Sequence, residues 1–226
     1  VGMPANLHGP SQPLSPSLAT IGKVFRSAGY ETAYHGKWHL GGDVRDFGFD
    51  RGEECSHDET TRQLAARFWR DRDWIEHERP FFHVVSFLDP HDLYFFDPRE
   101  ARPGFERPWE NTGLPADRYP AASAGRRADW PEDRWAALHD FYVSRIEKVD
   151  ADLGRLLDDF RCSGYFPNSL IVFASYHGNM SREHDIPFKG PFVYEGVSRV
   201  PLVFVPPRGR FSGDFSRRVP VPEIEP

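Results

Sequence analysis

The stretch GYETAYHGKWHLGG, residues 29–42, sets the reading of the chain. Its inner part, ETAYHGKWHL, reads as a strand, and Gly41-Gly42 lets the chain turn after it. Residues two apart in a strand point to the same side, so Lys37 and His39 face one way and Trp38 the other. Both polar residues lie at the carboxyl end of the strand. In open α/β sheets, ligands bind outside that end.

The same arrangement recurs further along. PFFHVVSFLDPH, residues 80–91, is almost wholly apolar and suits a strand buried on both sides of a parallel sheet. It ends in Asp89 and His91, again two apart. SLIVFASYHGN, residues 169–179, ends in Tyr176, His177 and Asn179, and RVPLVFVPP, residues 199–207, is a further buried strand. Helical patterns alternate with these strands. Ser17 can cap a helix over LATIGKVFRSAG, and Asp58 can cap DETTRQLAARFWRDRD, with Leu64 and Phe68 on one face. A long amphipathic helix over residues 133–161 carries Leu138, Tyr142, Ile146, Val149, Leu153, Leu156 and Phe160 in steps of three and four. Strands alternating with helices predict an α/β layered fold with a largely parallel sheet. One domain over residues 1–226 accounts for the length, with residues 96–131, dense in Pro, Arg and Gly, as a variable loop insertion. The Arg/Asp run from Arg70 to Asp73 reads as a solvated helix end.

Three strand ends bearing histidine and other polar groups form a convergent constellation. Its chemistry is anionic. Lys37 offers a point charge to a sulfate- or phosphate-like group, while His39 and His91 can donate a hydrogen bond or shuttle a proton near neutral pH. Lys189, in a loop before the last strand, supplies a second cation for a dianion or for a transition state gathering negative charge. The other histidines, His35 and His83 among them, carry no functional reading. A net charge of −6 argues against a broad nucleic-acid surface. No apolar run approaches the roughly 20 residues that span a bilayer. Cys55 and Cys162 are too few for a disulfide framework and lack metal-site spacing.

These segments resemble the sulfatases of the alkaline-phosphatase-like superfamily. GYETAYHGKWHLGG is similar to the pattern G-Y-x-T-x-x-x-G-K-W-H-L-G, and FFHVVSFLDPHDLY to F-x-x-x-S-F-x-x-P-H-x-P-Y. FYVSRIEKVDADLGRLLDDF resembles the long helix that follows, and SLIVFASYHGNMSREHDIPFKGPFVYEGVSRVPLVF the segment S-D-H-G-x-x-x-x-E-H-x-x-x-x-K-x-x-x-Y-E-x-x-x-R-V-P-L. The resemblance implies an alkaline-phosphatase-like fold, with a largely parallel central sheet flanked by helices. It implies hydrolysis of sulfate esters of a small molecule or carbohydrate. It further implies a formylglycine nucleophile, made from the first residue of a C/S-x-P-S-R motif, and a divalent metal, usually calcium. Carried over by residue, Lys37 binds nucleophile and sulfate, His39 bonds the formylglycine hydroxyl, and His91 and Lys189 act near the leaving oxygen. His177 matches the residue beside a metal-binding aspartate.

Two departures stand out. No C/S-x-P-S-R occurs in the sequence, and Tyr176 stands where the pattern has the metal-binding aspartate. The resemblance therefore predicts that the nucleophile motif, the first strand and an Asp-Asp metal pair precede Val1, so that the chain is a fragment with unpaired strand edges and poor solubility. It also predicts weak calcium binding, because phenol is a poor ligand beside carboxylate. The expected function is that of a sulfatase-type hydrolase without turnover in this chain. The alternatives are a non-catalytic, anion-binding relative and a phosphodiesterase or phosphonate hydrolase of the same superfamily.

Overall fold

The computed structural model describes residues 14–72, 79–91, 129–189 and 193–209. The loop insertion expected over 96–131 lies outside them but for its last three residues. Helix α1 (Ile21–Ser27) leads into β1 (Glu31–Gly36), β2 (Arg51–Glu54), α2 (Asp58–Arg70) and β3 (Phe81–Ser86). Then come α3 (Glu132–Cys162), β4 (Ile171–Ala174), the short strands β5 (Met180–Ser181) and β6 (Pro187–Phe188), α4 (Glu195–Ser198) and β7 (Leu202–Val205). The strands β2-β1-β3 form a parallel sheet, with Tyr34 opposite Gly52 on one side and Val84 on the other. This is the α/β layering the sequence predicts.

β1 is buried along its whole length because both its faces are covered. Ala33 packs with Ala65, Phe68 and Trp69 of α2 and Leu156 and Phe160 of α3. Tyr34 packs on the opposite face with Val44 and Phe49, and Phe25 of α1 stacks on Phe82 at 4.1 Å. The last turns of α3 thus clamp α2 against the sheet.

Several expectations need correction. Thr20, not Ser17, caps α1, accepting from the Lys23 amide at 3.3 Å and donating to the Phe47 carbonyl. His57, not Asp58, is the N-cap of α2; its Nδ1 accepts from the Thr60 amide, and the Asp58 carboxylate is used elsewhere. β1 ends at Gly36 rather than Leu40. A Cβ at Gly36, whose φ is 110°, would lie 2.0 Å from the Ser86 carbonyl oxygen, so only glycine admits this close crossing. The Lys37 amide donates to that same oxygen at 2.9 Å and continues the ladder by one residue. β3 is half-buried rather than buried. β4 and β7 pair antiparallel, because the chain folds back between them through β5, β6 and α4. Among the described residues they pair only with each other, and Val172 and Phe204 stay 51% and 55% exposed.

The stripe of α3 also departs from the apolar pattern. Ile146 is exposed, whereas Arg145 and Asp152 are buried. Arg72, read as solvated, is buried as well. α2 stops at Arg70, which frees Arg72 to turn inward beneath the sheet. It pairs with the buried carboxylate of Glu31, donates to the Arg79 carbonyl at 2.8 Å and lies 4.8 Å from the Phe81 ring centroid. Arg51 reaches Glu31 from the solvent side at 2.9 Å.

Removing Arg72 leaves the buried Glu31 carboxylate with only the half-exposed Arg51 as its ionic partner among the described residues. Arg72→Ala is expected to cost about 3–5 kcal/mol in urea unfolding, and an apolar pair, Arg72→Met with Glu31→Leu, to recover most of it. A loss below about 1 kcal/mol would place the pair among ordinary surface bridges.

Candidate active site

The candidate residues come from four chain segments, each of which follows a strand. Lys37 and His39 follow β1, His91 follows β3, Tyr176 and His177 follow β4, and Lys189 follows β6. Gly36 sets the exit of the first segment. A turn closed by the His91 amide on the Leu88 carbonyl, at 2.9 Å, sets the second. Trp38 turns back onto Tyr34 and Phe47, ring centroids 5.1 and 5.2 Å away, and its Nε1 donates to the Gly41 carbonyl.

The polar side chains meet across these segments. Lys37 Nζ donates to Tyr176 Oη at 2.9 Å and lies 5.7 Å from the centre of that ring. Lys189 Nζ lies 2.8 Å from His177 Nε2, and His177 Nδ1 lies 2.9 Å from the Gly178 carbonyl. A carbonyl only accepts and an ammonium only donates, so Nδ1 carries the hydrogen and Nε2 is bare. The Tyr176 and His177 rings meet edge to face at 4.4 Å.

These groups share one electrostatic field. Burial and then the Lys37 charge push Lys189 down to about 8. Burial, followed by Lys37, Lys189, His177 and His39, pushes His91 down to about 3. His39 is exposed, yet burial of its ring and the same two lysines lower it, opposed by Glu54. His177 is lowered by burial and by Lys189. The wall therefore holds two ammonium groups among neutral imidazoles at neutral pH. Its chemistry is that of an oxyanion receptor.

Lys37, His39, His91, His177 and Lys189 are thus brought together. Asp89 is not: its carboxylate is buried on Arg145 of α3. Sequence reading missed two features. One is the pairing of each lysine with a residue of the Tyr176-His177 step. The other is the role of Asp58, Arg145 and Asp152 behind His91. Arg145 and Asp152 sit seven residues apart in register with Leu138, and charge at such inward positions was the available signal.

The calcium implied by the resemblance does not fit the described residues. Tyr176 is engaged by one ammonium and His177 by another. The nearby Asn179 offers a buried amide Oδ1 with no partner among the described residues, but an amide brings no charge. No group of three or more His, Cys, Asp or Glu suited to a metal occurs among the described residues. No described helix is long and apolar enough to cross a membrane.

Comparison with known proteins gives a consistent picture. Relatives include the uncharacterized sulfatase YidJ of Escherichia coli, 24% identical over 92% of this chain and 52% of its own length. The ulvan-active sulfatase of Formosa agariphila is 26% identical over 81% of this chain and 40% of its own. Among solved structures, BT1596, a 2-O GAG sulfatase, superposes with a TM-score of 0.67 at 21% identity, covering 87% of this chain and 48% of that one. The phosphonate monoester hydrolase of Agrobacterium radiobacter shares the fold with a TM-score of 0.56 at 21% identity, over 85% of this chain and 53% of its own. The chain spans about half the length of the curated relatives it matches, 52% and 40% for these two. The family profile described as Sulfatase matches residues 1–211, and the chain belongs to the sulfatase family.

Proposed function

We propose that the protein is a hydrolase of carbohydrate sulfate esters, and that residues 1–226 supply the wall that grips the sulfate. The observation that carries this reading is the convergence of two ammonium groups on adjacent residues, Lys37 on Tyr176 and Lys189 on His177; burial and then the Lys37 charge lower Lys189 to about 8. A bound dianion relieves that repulsion. The carbohydrate class is supported by the ulvan-active relative and by a solved neighbour in complex with D-glucosamine-2-N,6-O-disulfate, which has a TM-score of 0.63 and 20% identity over 87% of this chain and 57% of its own.

In this reading Lys37 and Lys189 bind the non-bridging sulfate oxygens. Hydrolysis breaks the bond between sulfur and the sugar oxygen, places a water oxygen on sulfur and delivers a proton to the leaving alkoxide. Lys189 is suited to give that proton, since its pKa of about 8 lies nearer to neutrality than the ordinary 10.5. His91, neutral in the free site, offers a hydrogen bond to the same oxygen, and His39 does so from the exposed rim. A formylglycine would supply the covalent nucleophile of the family. The sequence contains no C/S-x-P-S-R from which to make one. That absence, with Tyr176 at the metal-binding position, favours a second reading for these residues taken alone: oxyanion binding without turnover.

Calorimetry of the 226-residue chain with sodium sulfate is expected to show binding that is steady below pH 7 and fades as pH rises through about 8, where Lys189 loses its proton. Lys37→Ala and Lys189→Ala should each weaken binding by roughly tenfold or more. Binding untouched by both variants contradicts the assignment. The same preparation should not hydrolyse 4-nitrophenyl sulfate, with or without added calcium. Measurable turnover would refute the second reading.

The Lys189 titration also affects stability. Its folded pKa, about 8, lies below the ordinary 10.5. Its stability contribution is therefore complete above 10.5 and is lost as pH falls through 8, so at pH 7 the ammonium is a net cost. Lys189→Met should melt higher than the parent at pH 7 without sulfate, and the gap should close above pH 10.5. Equal melting temperatures at pH 7 would show that the strain is absent.

A further inference from the structure

A cluster of ionisable groups holds the turn that carries His91. Asp58, Asp89, Arg145 and Asp152 are each at least nine-tenths buried, and Lys148 is about two-thirds buried. Asp58 Oδ1 accepts from the Leu88 amide at 2.6 Å, and Oδ2 from the Asp89 amide at 3.2 Å. The Asp89 carboxylate is in turn gripped by the Arg145 fork, Nε at 3.0 Å and Nη2 at 2.5 Å. Lys148 bridges Asp89 at 3.0 Å and Asp152 at 2.8 Å, and it lies 3.8 Å from Asp58. Arg155 reaches Asp152 from the solvent side.

Cohesion alone does not account for this arrangement. Apolar side chains of equal volume between α2 and α3 would hold the helices at least as firmly. What the ionic cluster adds is direction, because a guanidinium fork on a carboxylate fixes the carboxylate's plane. Asp58 fixes two successive amides, and Arg145 fixes the side chain of the second. The next residue is Pro90, whose ring restricts the backbone. The residue after that is His91, whose amide closes the turn on Leu88. The Leu88 and Asp89 amides are thus held from α2 and the Asp89 side chain from α3, within three residues of His91. A second ion pair between the same helices, Arg62 with Asp159, lies remote in sequence from that turn and binds neither of its amides.

We propose that Arg145 is a positioning residue for His91, acting through Asp89 and together with Asp58 to aim the imidazole at the oxyanion held by Lys37 and Lys189. The inference rests on reading that wall as a sulfate site. It assigns the buried middle of α3 to the geometry of the site.

The test uses the full 226-residue chain with isotope-labelled histidine. Three variants are compared: Arg145→Lys, which keeps the charge and loses the fork; Arg145→Gln with Asp89→Asn, which leaves no stranded carboxylate; and Arg62→Gln as the control. Readouts are the His91 side-chain resonances, sulfate affinity and melting temperature. Both Arg145 variants should move the His91 resonances and weaken sulfate binding by roughly tenfold, about one charged hydrogen bond. Arg62→Gln should lower the melting temperature and leave resonances and affinity at parent values. Parent-like His91 resonances in both Arg145 variants overturn the proposal, as does an Arg62→Gln variant that moves them equally. If the parent chain binds no sulfate but its His91 resonances still respond to Arg145→Lys, the sulfate reading fails and the positioning role stands.

Discussion

The convergence of Lys37 and Lys189 on two neighbouring residues, Tyr176 and His177, is the constraint around which the rest of the site is arranged. Each ammonium sits against a neutral partner, a phenol for Lys37 and a bare imidazole nitrogen for Lys189. Neither partner cancels the charge. A carboxylate at position 176 would neutralise one ammonium and draw in a cation, whereas Tyr176 does neither. Burial first, and then the same charges, lower the surrounding imidazoles, His91 to about 3. Under the proposed function a tetrahedral anion relieves the repulsion between the two ammonium groups, so that stability of the free site and ligand affinity oppose one another.

Holding like charges together needs a stiff frame, and the frame is identifiable. The parallel ladder of β1 and β3 brings Gly36 against Ser86 so closely that no side chain fits between. That contact places the first residue after β1, Lys37, beside the exit of β3. Apolar packing of α2 and α3 on the sheet supplies cohesion, while the Asp58, Asp89 and Arg145 cluster supplies direction to one loop. The two contributions are separable, since one scales with buried apolar area and the other with hydrogen-bond geometry.

Much of this was legible in the letters. The runs ending in Lys37, His91 and His177 marked strand exits, and the α/β alternation followed from their spacing. Period-two reasoning put Trp38 on the side away from Lys37 and His39, and its ring packs on Tyr34 and Phe47, although the strand stops at Gly36. Other features escaped. An apolar run such as residues 170–174 reads as buried whether or not anything covers it, and Val172 and Phe173 stay exposed. Buried charge was the larger omission. Arg72 read as solvent-facing, and Arg145 and Asp152 drew no reading beside the apolar stripe of their helix, because charge is costly to bury and only ionic partners make the burial tolerable.

The central claim is geometric, and a crystal structure of the chain grown with sodium sulfate tests it most directly. Tetrahedral density in contact with both Lys37 Nζ and Lys189 Nζ, with the His91 imidazole turned toward it, is the result this account requires. Well-ordered lysines that point into separate solvent channels, with sulfate bound elsewhere, would contradict it.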